Sequence, residues 1–303
     1  MGVLSALERR SHAAFLLDTS QFPSDATVTQ SFEDGQGRYE FTLDRRRIDL
    51  NSCGAAWWRR PLPFTLQPGI AREVATFTYS ECHEAVAGLW AALEAAWVNP
   101  PGLDEAAHHK PYQLAIASKV GLRVPRTLIT NDPDAARRFI ALLGPERTVY
   151  KTFLASQECW RETRVIRPAE IDLLDTVRLA PVIFQEYIPA VADIRVTVLG
   201  RKMIATAITA ARGGYEVDYR MDLDGARFQP TTLPASTQKG IRAVMKRLGL
   251  VYGAIDLRRT LDHGDVFLEI NPAGEWRFVE DRTGQPITDA MTELLIELDC
   301  RSR

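Results

Sequence analysis

The sequence predicts an α/β or α+β protein, and three features carry that prediction. Short β-type runs alternate with segments of helical periodicity along the whole chain, so strands and helices interleave rather than segregate. At 303 residues and 46% hydrophobic, the chain can bury a substantial core, and its length favours about two domains. An Asn-Pro-Pro-Gly stretch at 99–102 stops a helix and favours extended chain. It is therefore the linker candidate after a small N-terminal α/β unit.

Residues 3–12 read as a helix feeding a short apolar strand at 13–17, which ends at Asp18 and a Gln-Phe-Pro-Ser turn. Alternating strands follow near 27–32, 38–43 and 54–58, and residues 69–98 carry the period of one or two helices, with the apolar part 85–98 as core helix. After the linker, a helix over 110–120 is closed by Gly121 and a strand covers 126–130. The next helix, 133–143, has Asn131 or Asp132 as cap and Gly144 as stop. Residues 148–153 and 182–184 are short β runs, and 193–209 reads as a hairpin turning at Leu199-Gly200. A helix at 236–248 precedes a second hairpin over 251–271, turning within 262–265.

Composition excludes several function classes. With 37 Lys+Arg against 39 Asp+Glu, the net charge of -2 supplies no global field for nucleic acid or a membrane surface. Cys53, Cys82, Cys159 and Cys300 are scattered without a Cys-x-x-Cys pair, which fits reduced thiols in a cytoplasm and no structural disulfide. Residues 1–14 are charged and lack the apolar core of a signal peptide, and 85–98, interrupted by Glu94, is too short to span a bilayer.

The sharpest chemical feature is Tyr-Gly-Ala-Ile-Asp-Leu at 252–257 followed by Phe-Leu-Glu-Ile-Asn-Pro-Ala-Gly at 267–274. Glu269 and Asn271 lie two apart on a strand and share a face. A two-residue loop at Asp262-His263 would pair Asp256 with Glu269, and one at His263-Gly264 would pair it with Asn271; either register gathers three oxygen donors. Ile255, Leu257, Leu268 and Ile270 then alternate onto the buried side. Two carboxylates and an amide suit magnesium, which takes the rest of its shell from water and phosphate. The same residues equally fit the solvated face of an amphipathic hairpin, and spacing alone leaves both readings open.

No Gly-x-x-x-x-Gly-Lys-Ser/Thr motif and no Gly-x-Gly-x-x-Gly after a strand is present, which argues against a P-loop enzyme and a Rossmann dehydrogenase. The candidate phosphate-holding lysines are Lys110, at a helix start, and Lys151, flanked by Val149, Tyr150 and Phe153. A surface lysine and a snorkelling edge-strand lysine are the plain alternatives. Gln185, Glu186, Tyr187 and Ile188 form a strand end whose backbone can read an adenine edge, with Glu186 available to the sugar or the exocyclic amine. Asp193 and Arg195 share one strand face and would also fit a simple salt bridge. His108-His109 and the Arg45-Arg46-Arg47 run read as solvent-facing, the latter with an acidic peptide as its alternative partner, and Trp57 and Trp58 as split between core and surface.

In this order, Lys110, Lys151, the 185–188 segment, Asp-Ile-Arg-Val at 193–196, Asp256 and Glu269-Ile270-Asn271 resemble the ATP-grasp superfamily of ligases. Within it the chain is similar to the graspetide (microviridin-type) peptide maturases, related to the ribosomal-protein glutamate ligases. That narrower likeness rests on Leu-Asp-Thr-Ser-Gln-Phe-Pro at 17–23, Trp-Trp-Arg-Arg-Pro at 57–61, Trp-Val-Asn-Pro-Pro at 97–101, Asp-Tyr-Arg at 218–220 and Asn-Pro-Ala-Gly-Glu-Trp at 271–276. Two departures stand out. The chain starts in a helix where the family begins with a strand, and the loop Ala-Ser-Gln-Glu-Cys-Trp-Arg at 155–161 lacks the superfamily's usual glycines.

The resemblance implies an ATP-grasp fold: a pre-ATP-grasp α/β domain at 1–102, a central subdomain at 103–189 and a C-terminal subdomain with the metal site at 190–303. It implies ATP and Mg2+ as cofactors, magnesium on Asp256, Glu269 and Asn271, and Lys110 and Lys151 on the α- and β-phosphates. Gln185, Glu186, Tyr187, Ile188 and Asp193 would lie around the nucleotide, and Arg195 and Arg220 at the γ-phosphate and acyl phosphate. The implied partner is a ribosomally made precursor peptide, a leader plus a core carrying Asp or Glu with Ser, Thr or Lys. No nucleic acid or membrane is expected, and the resemblance leaves room for a homodimer. A ligase adding a free amino acid to a protein tail or small-molecule carboxylate is the competing activity, and a non-catalytic nucleotide-binding scaffold the competing class.

Overall fold

A computed structural model describes residues 2–153, 163–210, 224–261 and 264–302. The expected covering loop at 155–161 and the Asp-Tyr-Arg segment with Arg220 lie outside them. Chain order begins with α1 (Gly2–Arg9), then three antiparallel strands β1 (Ala26–Glu33), β2 (Gln36–Leu43) and β3 (Arg46–Asp49). Their two-residue turns, Asp34-Gly35 and Asp44-Arg45, put both central residues at positive φ (51° and 79°, 50° and 62°), the turn whose twist matches the strands. Next come β4 (Ala55–Trp57), α2 (Arg72–Ala92) and β5 (Ala96–Val98), the two strands pairing in parallel. The stretch expected as continuous core helix therefore breaks: the helix ends at Ala92, only a stripe including Val86, Leu89 and Trp90 is buried, and 96–98 is strand.

A helix at α3 (Pro101–His108), absent from the sequence reading, leads to α4 (Lys110–Lys119), β6 (Thr127–Thr130) and α5 (Pro133–Leu143). Asp132 caps α5 by accepting the Asp134 N–H at 2.9 Å, Pro133 opens the helix, and Gly144 ends it at φ 93°. Then follow β7 (Thr148–Lys151), β8 (Arg164–Val165), α6 (Pro168–Ile171) and β9 (Val182–Glu186), giving a four-stranded sheet in the order β6-β9-β7-β8. The chain continues with β10 (Ala192–Leu199), β11 (Lys202–Thr209), β12 (Arg227–Thr231), α7 (Ala235–Leu248), β13 (Tyr252–Thr260), β14 (Gly264–Asn271), α8 (Arg277–Thr283) and α9 (Ile287–Ser302). Those strands form a five-stranded antiparallel sheet, β12-β11-β10-β13-β14. Its first hairpin turns at Gly200-Arg201, one residue later than expected, because Leu199 still pairs with Lys202. The largest core cluster joins this sheet to α4 and α7 through Val196, Ile241, Val244, Ile255 and Phe267. No helix among the described residues is long and apolar enough to cross a membrane.

Residues 13–17 do not form the expected strand: they pair with no strand among the described residues, and Leu16 is left 74% exposed. This segment and β4 both line a cavity of about 1090 Å³. Gly54 C=O accepts the Ala96 N–H and Trp58 N–H donates to Val98 C=O, so the backbone groups of Ala55 and Trp57 point away from β5. No second strand pairs with β4 among the described residues. Trp57 and Trp58 alternate as expected but neither is a surface residue: Trp57 stacks on Trp276 at 5.6 Å, and Trp58 meets Trp90 and Trp97 edge-on.

Candidate active site

The second hairpin pairs Asp256 with Glu269 and Ala254 with Asn271. That register arises differently from the tight loop read in the sequence. Thr260 pairs with Gly264, leaving three residues in the connection, and a bulge between Asp256 and Leu257 restores the offset by inserting Leu268 opposite no partner. Leu268 is consequently half-buried, and Phe267, fully buried, takes the core place expected for it beside Ile255, Leu257 and Ile270.

Beyond Asp256, the neighbouring strand adds charge in register. Arg195 lies opposite Asp256 and Asp193 opposite Arg258. Arg195 Nη1 donates to both Asp256 oxygens at 2.8 and 3.0 Å, and its Nη2 donates to Glu275 C=O at 3.0 Å. Asp193 and Arg258 meet at 3.4 Å, so the salt bridge read between Asp193 and Arg195 is replaced by two cross-strand pairs. Lys110 Nζ, from the first turn of α4, donates to Glu269. The Asn271 side-chain oxygen accepts the Ala273 N–H at 3.0 Å, fixing the amide's orientation. Gly274 is required by close approach: a Cβ there would stand 2.4 Å from that of Ala254 and 3.0 Å from Arg195 Nη2.

Three oxygen-bearing side chains thus converge on one face, with a cation on each carboxylate. Among the described residues, no group of three His, Cys, Asp or Glu side chains is placed to hold a metal. The hairpin set has two carboxylates and takes its third oxygen from an amide, a hard donor set that fits magnesium sharing its shell with water and phosphate. Arg195 and Lys110 already balance the two negative charges, as a divalent cation would.

Lys151, Gln185 and Glu186 belong to the four-stranded sheet, and Tyr187 and Ile188 follow directly on its strand β9. Lys151 ends β7 instead of sitting mid-strand, and β7 lies between β9 and β8, so it is no edge. Its Nζ donates to Gln185 Oε1 at 3.1 Å, and Gln185 Nε2 donates in turn to Thr127 Oγ1 at 2.9 Å. The backbone N–H groups of Glu186 and Tyr187, read as exposed adenine-facing donors, instead donate to Arg126 and Arg147 C=O at 2.8 Å each. Tyr187 carries the Arg258 guanidinium over its ring at 5.4 Å, tying this segment to the Asp193 pair, and Ile188 is buried. His108 and His109 are both exposed.

Four residues given no site role in the sequence reading position the hairpin. Buried Gln113, one turn after Lys110, donates to Ile270 C=O at 2.8 Å and accepts the Ile270 N–H at 3.0 Å, gripping the residue between Glu269 and Asn271. Buried Asn99 accepts the N–H groups of Val251 and Tyr252 and donates to Tyr252 and Pro272 C=O. Arg59 and Arg60 both donate to Ala273 C=O at 3.0 Å. Gln113 shares a helix face with Lys110, a signal that could have found it; Asn99, Arg59 and Arg60 stand in stretches that carry the family likeness, but their bonds to the hairpin cross elements and are not visible locally. Burial pushes the Tyr252 phenol far above its ordinary value, and its hydroxyl donates to Gly274 C=O at 2.5 Å.

Residues 1–104 match the MvdD pre-ATP grasp domain and residues 107–295 the RimK-like ATP-grasp domain. The chain belongs to the RimK-like ATP-grasp family. The solved structure of macrocyclase MdnC bound with precursor peptide MdnA, from Microcystis aeruginosa MRC, is 30% identical, covering 98% of this chain and 95% of that one at a TM-score of 0.85. The ATP-grasp ligase PsnB, complexed with minimal precursor, Mg and ADP, is 25% identical, covering 98% and 93% at a TM-score of 0.78. The probable alpha-L-glutamate ligase 2 of Shewanella amazonensis is 28% identical over 188 residues, 60% of this chain. The match spans 61% of that relative's length.

Proposed function

We propose that this protein is an ATP- and magnesium-dependent ligase that activates Asp or Glu side chains of a ribosomally made precursor peptide as acyl phosphates. A Ser, Thr or Lys side chain of the same peptide then displaces phosphate, closing an ester or amide macrocycle. The observation that carries this reading is the extent of the likeness: the macrocyclase MdnC superposes on nearly the whole chain, whereas the glutamate ligase matches 188 residues. In this reading the chain comprises a pre-ATP-grasp domain at 1–102, a central subdomain at 103–189 and a metal-bearing subdomain at 190–303, and the protein is cytoplasmic and able to form a homodimer.

Asp256, Glu269 and Asn271 would hold magnesium, which supplies charge neutralisation for the transferring phosphoryl group. Arg195, anchored on Asp256 and the Glu275 carbonyl, presents a fixed guanidinium beside that face, suited to γ-phosphate or acyl-phosphate oxygens. Arg220 shares this role in the proposal. Lys110 and Lys151 hold α- and β-phosphate oxygens, exchanging their present partners Glu269 and Gln185 for the nucleotide. Gln185, Glu186, Tyr187 and Ile188, with Asp193 orienting Arg258 against Tyr187, border the nucleoside.

Incubating a candidate precursor with the enzyme, ATP and magnesium should give losses of about 18 Da per ring and ADP as the nucleotide product. A mass gain matching one amino acid would instead support tail ligation, the reading the glutamate-ligase likeness favours. AMP formation would reject the acyl-phosphate route.

A further inference from the structure

Arg59 and Arg60, from the segment after β4, turn both guanidiniums onto the turn that follows Asn271. Each donates to Ala273 C=O at 3.0 Å; Arg60 Nη1 also donates to Glu275 Oε1 at 2.6 Å, and Arg59 Nη2 lies 3.7 Å from the same oxygen. Two positive charges therefore meet one carboxylate, and only one of its oxygens. Arg195 meets the same turn, donating to Glu275 C=O. Arg59 lies against the stacked pair Trp57 and Trp276, 5.6 and 5.7 Å from their rings, and burial, then the Arg60 charge, pushes its pKa down. A guanidinium so stripped of water attracts a carboxylate more strongly than a surface one. Arg60 adopts φ 47°, an unfavourable backbone region for a residue with a Cβ, which aims its side chain at this turn.

Glu275 itself is 54% exposed, and both arginines line the cavity beside β4. An exposed ion pair contributes little to stability, so a competing carboxylate can displace it. We infer that Arg59 and Arg60 form a carboxylate-binding site for an acidic side chain of the peptide substrate, closed by Glu275 as an internal stand-in until the substrate arrives. The inference rests on the peptide-ligase reading above and adds residues outside the ATP-grasp face to it.

The test uses the full chain and a synthetic capped peptide with a central Glu, against the same peptide with Gln. ADP with magnesium is first titrated into the parent protein; failure to bind there counts against the ligase reading and leaves the peptide comparison to judge the inference. Glu275→Gln should bind the Glu peptide about tenfold more tightly than the parent, and Arg60→Gln about tenfold more weakly, with little change for the Gln peptide. If the arginines only brace the fold, Glu275→Gln will leave Glu-peptide affinity unchanged or lower it, which overturns the inference. Equal binding of the two peptides to the parent overturns it as well. Arg60 and Glu275 are both exposed enough for their variants to fold, unlike a replacement of the stacked Arg59.

Discussion

Asp256 is engaged on both oxygens by one guanidinium nitrogen, with Arg195 only 8% exposed and Asp256 16%. Removing one partner of so buried a pair strands the other charge. Asp256→Ala is accordingly expected to lower stability by about 3 kcal/mol, read by denaturant melting. Asp256→Asn keeps an oxygen for Arg195, so it should stay folded while ATP turnover and its magnesium dependence are lost; retained turnover would refute the metal assignment. The residue types and their order were legible because strand alternation alone puts Glu269 and Asn271 on one face. The partners Arg195 and Lys110 were visible as charges but not as neighbours. Pairing across β10 and β13, strands separated by some sixty residues, follows from the fold and leaves no local trace.

The β13–β14 hairpin is held from outside by two buried amides, Asn99 and Gln113. Gln113→Leu leaves the N–H and C=O of Ile270 without their partners and should cost about 2 kcal/mol, with more magnesium needed for half-maximal turnover. Asn99 also donates to Asp104 at the start of α3. Burial, the largest cause, raises the Asp104 carboxyl above 3.8, outweighing the opposing Asn99 bond and His108 charge. A carboxyl raised in the folded state favours folding when protonated and disfavours it when ionised, so Asp104→Asn should be more stable than the parent at neutral pH. The gap should close as pH falls through the raised value to 3.8, as thermal melts across that range will show. The bulge at Leu268 explains why the hairpin was only half legible. Phe267 and Leu268 are both apolar, so hydrophobic alternation could not say which of them faces the core, and the Asp256–Glu269 pairing was one of two registers left open, each through a shorter loop than the chain uses.

Across the whole molecule, the interleaving of strands and helices announced the class, and Asn-Pro-Pro-Gly announced a junction. The junction is no loose tether, since Asn99 within it bonds to β13 and to the turn after β14. What the sequence misjudged most is 13–17, five residues with the composition of a strand but, among the described residues, no strand to pair with. Strand propensity is a preference for a half-buried pleated surface, and a segment lacking a neighbour cannot express it. The edge of β4 that no strand covers among the described residues, and the exposed Leu16 lining the same cavity, also bear on handling. Unpaired backbone groups beside apolar side chains are a template for another chain, and native sheets normally blunt such edges with charge. Concentrated solutions should therefore scatter light increasingly on warming, before the core melts. Leu16→Lys, at a site exposed enough to change stability by no more than about 0.5 kcal/mol, should delay that clouding without moving the melting temperature.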